Sequence, residues 1–204
     1  MKSLAVFIFP GVQTLDLFGP IELLGGFDDQ IDLTLVAATE APVPTRHGQR
    51  ILPDTTIEDQ TRYDLLLIPG GDSAIDVAQN PDAMSWLRDT VDRAEMVMTV
   101  CTGSILLAMT GKLDGYKATT NKQDFLETVP LGPKVDWVKR ARWVQDGKFF
   151  TSSGVSAGMD MALAAAAHLF GADAAEQMAE GAEYEWHREP DWDPFAESSG
   201  LVQA

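Results

Sequence analysis

Three short runs of uninterrupted apolar character limit what this chain can become. Residues 4–9, 63–68 and 96–100 are almost free of polar alternation, so each reads as a strand covered on both faces. Each run also stops at a turn: Pro10-Gly11, then Pro69-Gly70-Gly71-Asp72, then Cys101-Thr102-Gly103-Ser104. Residues 31–37 alternate and then run apolar, which suits a further strand. Between the strands lie segments at helical spacing, residues 15–24 (with Gly19-Pro20 opening the more regular part) and 81–94. The second is opened by Asn80 as N-cap and Pro81 at the first helical position. Strands buried on both faces, alternating with helices, predict an α/β fold: one domain with a mainly parallel central sheet and helices on both faces.

The second half continues the pattern. Residues 124–129 read as a brief helix, and 134–144 and 149–151 as strands, joined through a hairpin turn at 145–148. A small-residue loop follows at 152–158, then an alanine-rich helix at 159–170 ended by Gly171, and a last helix at 172–185. Residues 185–204, with Trp186, His187, Pro190, Trp192 and Pro194, read as an extended C-terminal tail packed on the surface. With 204 residues and 45% hydrophobic content, the chain is long enough to bury one sizeable core, and no composition break marks a second domain.

Charge and cysteine usage narrow the function classes. The formal charge of −16 repels phosphate backbones and anionic headgroups, so no nucleic acid or membrane partner is expected. The N-terminal apolar run is short and broken by Pro10, unlike a signal peptide, and no run is long enough for a membrane span. A cytoplasmic location is the expectation. A single cysteine excludes an intramolecular disulfide, and no His and carboxylate grouping has metal-ligand spacing, so neither a metal nor another cofactor is expected.

The turns after the strands carry the candidate chemistry, because ligands of open α/β sheets bind beyond the carboxyl ends of the strands. Cys101 sits between a strand and a helix, the arrangement of a nucleophile elbow, with Gly103 letting the backbone turn tightly. The competing reading is a small buried hydrophobe. Asp16, between Leu15 and Leu17, is either a helix cap or a partly desolvated acid with a raised pKa. Gly70 and Gly71 either bring backbone amides to a ligand, as half of an anion-stabilising pocket, or form an ordinary tight turn. None of His47, His168 and His187 follows a strand end.

Taken together these motifs resemble the DJ-1/PfpI superfamily. The resemblance rests on Leu15-Asp-Leu-Phe-Gly-Pro20, Ile68-Pro-Gly-Gly71, Val100-Cys-Thr-Gly-Ser104, Lys117-Ala-Thr-Thr-Asn121 and Ser153-Gly-Val-Ser-Ala-Gly-Met-Asp160, in that order. It is strongest to the isocyanide hydratase branch. It implies a flavodoxin-like sandwich, similar to class I glutamine amidotransferases, over the whole chain, and a homodimer acting on a small molecule. It also implies hydration of an isocyanide to an N-substituted formamide through a thioimidate on Cys101. Asp16 would be the general acid and Thr102 would touch the substrate. Gly70, Gly71, Asp72, Gly154 and Val155 would shape the pocket. A thiolate at Cys101 would be favoured by the helix N-terminus. Asn121 departs from relatives that have a histidine after the paired threonines, which weakens a Cys-His hydrolase reading. Two alternatives stand beside hydration: a glyoxalase or deglycase acting on reactive aldehydes, and a non-enzymatic redox or ligand sensor built on Cys101.

Overall fold

The computed structural model describes residues 1–59 and 61–203. Among them seven strands form the central sheet, in the spatial order Trp143–Asp146, Phe149–Ser152, Met96–Val100, Leu65–Ile68, Lys2–Phe7, Ile31–Ala37, Thr55–Thr56. Every neighbouring pair is parallel except the outer hairpin formed by Trp143–Asp146 and Phe149–Ser152. The three strands Leu65–Ile68, Met96–Val100 and Phe149–Ser152 are buried at every position. Side chains of both alternations are therefore out of water, as uninterrupted apolar runs require. The helices Thr14–Gly25, Ala157–Phe170 and Ala172–Gly181 pack on one another. The helix Pro81–Arg93 sets Trp86 against Phe7, with ring centroids 5.5 Å apart. Asn80 caps that helix, its Oδ1 accepting from the amides of Asp82 (3.0 Å) and Ala83 (3.2 Å).

Because the inner strands run parallel, their carboxyl ends lie along one edge, and the turns after residues 7, 68, 100 and 152 all leave from it. Backbone bonds stitch these turns together. Gln13 N–H donates to Gly70 O (2.8 Å), and Cys101 N–H donates to Ser152 O (3.2 Å).

Four segments differ from the sequence expectation. The first helix begins at Thr14 and carries Pro20 inside it, whereas the Gly19-Pro20 pair was expected to open its regular part. Of residues 134–144, only Asp136–Trp137 and Trp143–Asp146 are strand. The backbone between them is diverted: Arg142 N–H donates to Pro190 O (2.6 Å) and not to a neighbouring strand. The last helix stops at Gly181 rather than at residue 185. Glu183 turns left-handed (φ 48°), and Tyr184 N–H closes back on Ala179 O at 2.9 Å, a Schellman closure that points the chain inward.

That turn changes the character of the tail. It holds a short helix, Phe195–Ser198, and its Asp193 and Ala196 are buried (1% and 0% exposed); Ala204 lies outside the described residues. The tail is anchored on Asp160, which is fully buried in the first turn of the alanine-rich helix. Asp160 accepts from Arg142 Nε (2.6 Å), the Tyr184 hydroxyl (2.9 Å) and the His187 amide (2.9 Å). Removing one partner of such a pair leaves an uncompensated buried charge. Asp160→Ala is therefore expected to cost about 3–5 kcal/mol of stability, read from denaturant unfolding.

Candidate active site

The elbow takes its shape from local sterics. Cys101 has φ 56°, and with Glu183 it is one of two non-glycine residues in the left-handed region among the described residues. That conformation costs an L-residue roughly 1–2 kcal/mol, so neighbours must hold it. Its N–H is bonded to Ser152, and its carbonyl accepts from the Thr120 hydroxyl (3.0 Å) with the Ser104 hydroxyl 2.9 Å away. Gly103 opens the helix Gly103–Met109 where only glycine fits: a Cβ there would lie 2.2 Å from Ile68 O. The thiol that results is 6% exposed.

Asp16 lies in the first turn of the helix Thr14–Gly25, yet it caps nothing. Its Oδ2 accepts from Gly70 N–H (3.1 Å), 54 residues away in sequence, and the N-cap position is taken by Gln13. The side chain is 0% exposed, and Oδ1 has no well-aligned hydrogen-bond partner among the described residues. Burial raises its pKa to about 7, against the lowering effects of the Gly70 amide, the Cys101 thiol and the more distant Arg46 charge.

The thiol is pushed the other way from the sequence expectation of a helix-stabilised thiolate. Burial raises the Cys101 pKa, the Asp16 charge raises it further, and bonds from Asn121 and the Thr102 amide lower it by less. A helix of 7 residues does not outweigh desolvation. The resting pair is thus a thiol beside a carboxyl that gains and loses its proton near neutrality.

Asn121 is the residue whose part at the sulfur the sequence reading missed. Its Nδ2 donates to Cys101 Sγ at 3.1 Å. The amide cannot be turned round without loss, because its Oδ1 accepts from the backbone amides of Gln123 (2.7 Å) and Asp124 (3.2 Å). In the sequence Asn121 stands out only as a departure from histidine; an Asn two residues before free amides is a turn signal that gives no direction for the NH₂ group. Gly154 makes room for this contact, since a Cβ there would meet Asn121 Nδ2 at 2.6 Å and Cys101 Sγ at 2.8 Å.

The expected anion pocket is not built from the Gly70-Gly71 amides. Gly70 N–H serves Asp16, and Gly71 N–H donates to Thr102 Oγ1 (2.9 Å), whose hydroxyl lies 3.1 Å from Gly71 O. Two amides spent inside the protein are not aimed at a ligand. The Thr102 side chain is instead a lock between the two turns. Above the sulfur is a cavity of ≈ 320 Å³ lined by Cys101, Thr102, Gly71, Asn121 and Val155, with Ile75 and Ile105 as apolar wall. Asp72 also lines it and is paired with Arg46 (3.1 Å), while Asp16 lies behind the lining, against Gly70.

The histidines are engaged elsewhere. His47 Nδ1 is 3.1 Å from the Thr14 hydroxyl, His168 Nδ1 is 3.3 Å from Gln145, and the His187 ring stacks on Trp192. Among the described residues, no group of three or more His, Cys, Asp or Glu is placed to hold a metal ion.

A cysteine forced left-handed between a parallel strand and a helix places the chain in the nucleophile-elbow class of α/β proteins. Comparison with known proteins is more specific: the model of the DJ-1/PfpI family matches residues 2–168, and the chain belongs to that family. It is 36% identical to the isonitrile hydratase of Pseudomonas putida over 83% of this chain and 72% of that protein. A ThiJ/PfpI family protein from Pseudomonas syringae superposes with a TM-score of 0.84 at 30% identity, covering 90% of this chain and 75% of that one. A deglycase of Pyrococcus horikoshii is 25% identical over 68% of this chain and 86% of its own length.

A raised carboxyl pKa carries a stability consequence. Between the ordinary value of 3.8 and about 7, the folded protein keeps the Asp16 proton while the unfolded chain releases it. Stability therefore falls as pH rises through that window. Asp16→Asn removes the dependence: relative to the parent, the variant is expected to gain on the order of 4 kcal/mol between pH 4 and pH 8, read from denaturant unfolding at both.

Proposed function

We propose that the chain hydrates small isocyanides to N-substituted formamides, with Cys101 as nucleophile and Asp16 as proton carrier. The observation that carries this reading is the buried Asp16 carboxyl, held near neutrality against the chain's one cysteine. Similarity to an isonitrile hydratase supports it.

The chemistry asks for one acid that can give and take a proton repeatedly at one carbon and one sulfur. Protonated Asp16 delivers its proton to the terminal isocyanide carbon as sulfur attacks it, and the thiol proton passes to the carboxylate. The C≡N bond becomes C=N, the S–C bond forms, and a neutral thioimidate results. Water then adds to the same carbon, losing a proton to the carboxylate as nitrogen gains one. The S–C bond breaks, sulfur is reprotonated, and the formamide leaves. The Asn121 amide steadies negative charge on sulfur in both directions. Thr102, at the cavity wall, keeps the Asp16 and Cys101 turns in register. Asp72 and Val155 shape the space left for the isocyanide substituent, and Gly154 keeps the room in which Asn121 meets the sulfur.

The same reading takes the protein as a cytoplasmic homodimer. Among the described residues no helix is long and apolar enough to cross a membrane. Leu15 and Phe18, one turn apart on the helix of Asp16, are 41% and 42% exposed, which supports a second copy as the partner. Sedimentation equilibrium giving a monomer at micromolar concentration counts against it.

Purified protein is expected to convert an aryl isocyanide to the formamide, and Cys101→Ala to abolish turnover. The rate should fall above about pH 7 as one group loses a proton, because ionised Asp16 cannot act as the acid. A rate flat from pH 6 to pH 9, or faster turnover of reactive aldehydes than of any isocyanide, would sink the assignment.

A further inference from the structure

The hydration chemistry gives the C-terminal segment no part, yet that segment sends a buried carboxylate toward the site. We propose that Asp193, acting through Lys122, is a positioning residue that holds the Asn121 amide against Cys101. The inference rests on the reading of Cys101 as the reacting nucleophile.

Lys122 directly follows Asn121, and its side chain turns into the protein, where it is 1% exposed. Its ammonium donates to Thr119 Oγ1 (2.7 Å) and Thr120 O (3.2 Å). Both acceptors belong to the residues just before Asn121, so one cation closes the backbone around it. Thr119 is fixed in turn, its N–H donating to Thr151 Oγ1 (2.9 Å) and its hydroxyl to Val138 O (2.8 Å). Thr120 supports the Cys101 carbonyl. The clamp therefore sets where the Asn121 backbone stands, and the turn at Gln123 and Asp124 sets which way its amide points.

An ammonium this deep stays charged only beside a counter-charge. Asp193 Oδ2 is 4.0 Å from Lys122 Nζ, and the Asp193 side chain is 0% exposed. Its other oxygen accepts from Phe195 N–H (3.0 Å), which fixes it to the short tail helix. Burial and the Arg142 charge press Lys122 toward its neutral form while Asp193 opposes them, and the balance lies at about 8. Without Asp193 that opposition is lost, the balance moves further toward the neutral amine, and a neutral amine holds its two acceptors less firmly. The carboxylate supplied by the tail thus keeps the clamp charged, and the clamp holds in place the backbone from which the Asn121 amide reaches sulfur.

A strap with a purely structural role would stabilise the fold and leave sulfur chemistry alone. The two differ in the alkylation of Cys101 by iodoacetamide, followed against pH in the parent, Asn121→Ala, Asp193→Asn and the double variant. The other charges facing the sulfur, Asp16 and Asp124, are unchanged throughout. Asn121 lowers the thiol pKa, so both single variants should move the profile to higher pH. At pH 7, below the Lys122 value, each should slow alkylation about tenfold, as a rise of about one unit in the thiol pKa does. The double variant should be no slower than Asn121→Ala alone. Isocyanide kcat should fall by a like factor with KM unchanged. An Asp193→Asn profile that overlays the parent, or shifts that add in the double variant, overturns the proposal. Should Asp193→Asn not fold, Lys122→Met with Asp193→Leu replaces the buried pair by apolar groups, a change that is often neutral for stability; it carries the same expectations. Alkylation reads the sulfur whatever the substrate, so a failed isocyanide assay and a failed strap are separate results.

Discussion

Among the described residues, Asp16 is a carboxyl group kept out of water with one backbone amide as its well-aligned donor and no cation in contact. Left to itself a buried carboxylate takes up a proton, and here burial outweighs every group that favours ionisation. The surroundings serve that end. Parallel strands bring the Pro10, Pro69 and Cys101 turns to one edge, and Thr102 spans the last two by bonding Gly71 on both its N–H and its C=O. The elbow then sets a buried thiol against the buried carboxyl. A chain of formal charge −16 thereby keeps one acid that behaves unlike those on its surface.

The two groups of the pair have pKa values shifted for related reasons. Burial raises both, but the Asp16 charge raises the thiol further, while the thiol favours the Asp16 carboxylate. Each group therefore acts directly on the other's pKa. The Asn121 donor and the Thr102 amide, both directed at sulfur, oppose the rise in the thiol pKa without cancelling it. The strain of φ 56° at Cys101 is spent on this geometry, since a relaxed backbone would carry the side chain away from the turn of Gly70.

Much of the architecture was legible in the residues. An apolar run with no alternation can be read locally, and so can a strand-to-helix turn with glycine two places after the cysteine. Asp16 was legible as a carboxylate between leucines, although only the fold shows that it caps nothing. Other features depend on contacts far apart in the chain. The Gly70 and Gly71 amides look free in a Pro-Gly-Gly turn and are taken by side chains 54 and 31 residues away. Asn121 reads as a turn residue because its carbonyl does bond the next amides, and its other end matters only once the strand with Cys101 lies beside it. The inward turn of the tail escaped notice because Asp160 sits at the head of an alanine-rich helix, where an acid ordinarily complements the helix dipole. Nothing local says that Arg142 and Tyr184 will meet it.

A single thiol in the whole chain also governs how the protein ages. If Cys101 is oxidised to the sulfenic acid, no second thiol in the chain can resolve it as an intramolecular disulfide. Recovery then depends on a small external thiol reaching the sulfur through the cavity above it, so a molecule lodged in that cavity would shield Cys101 from oxidant and reductant alike.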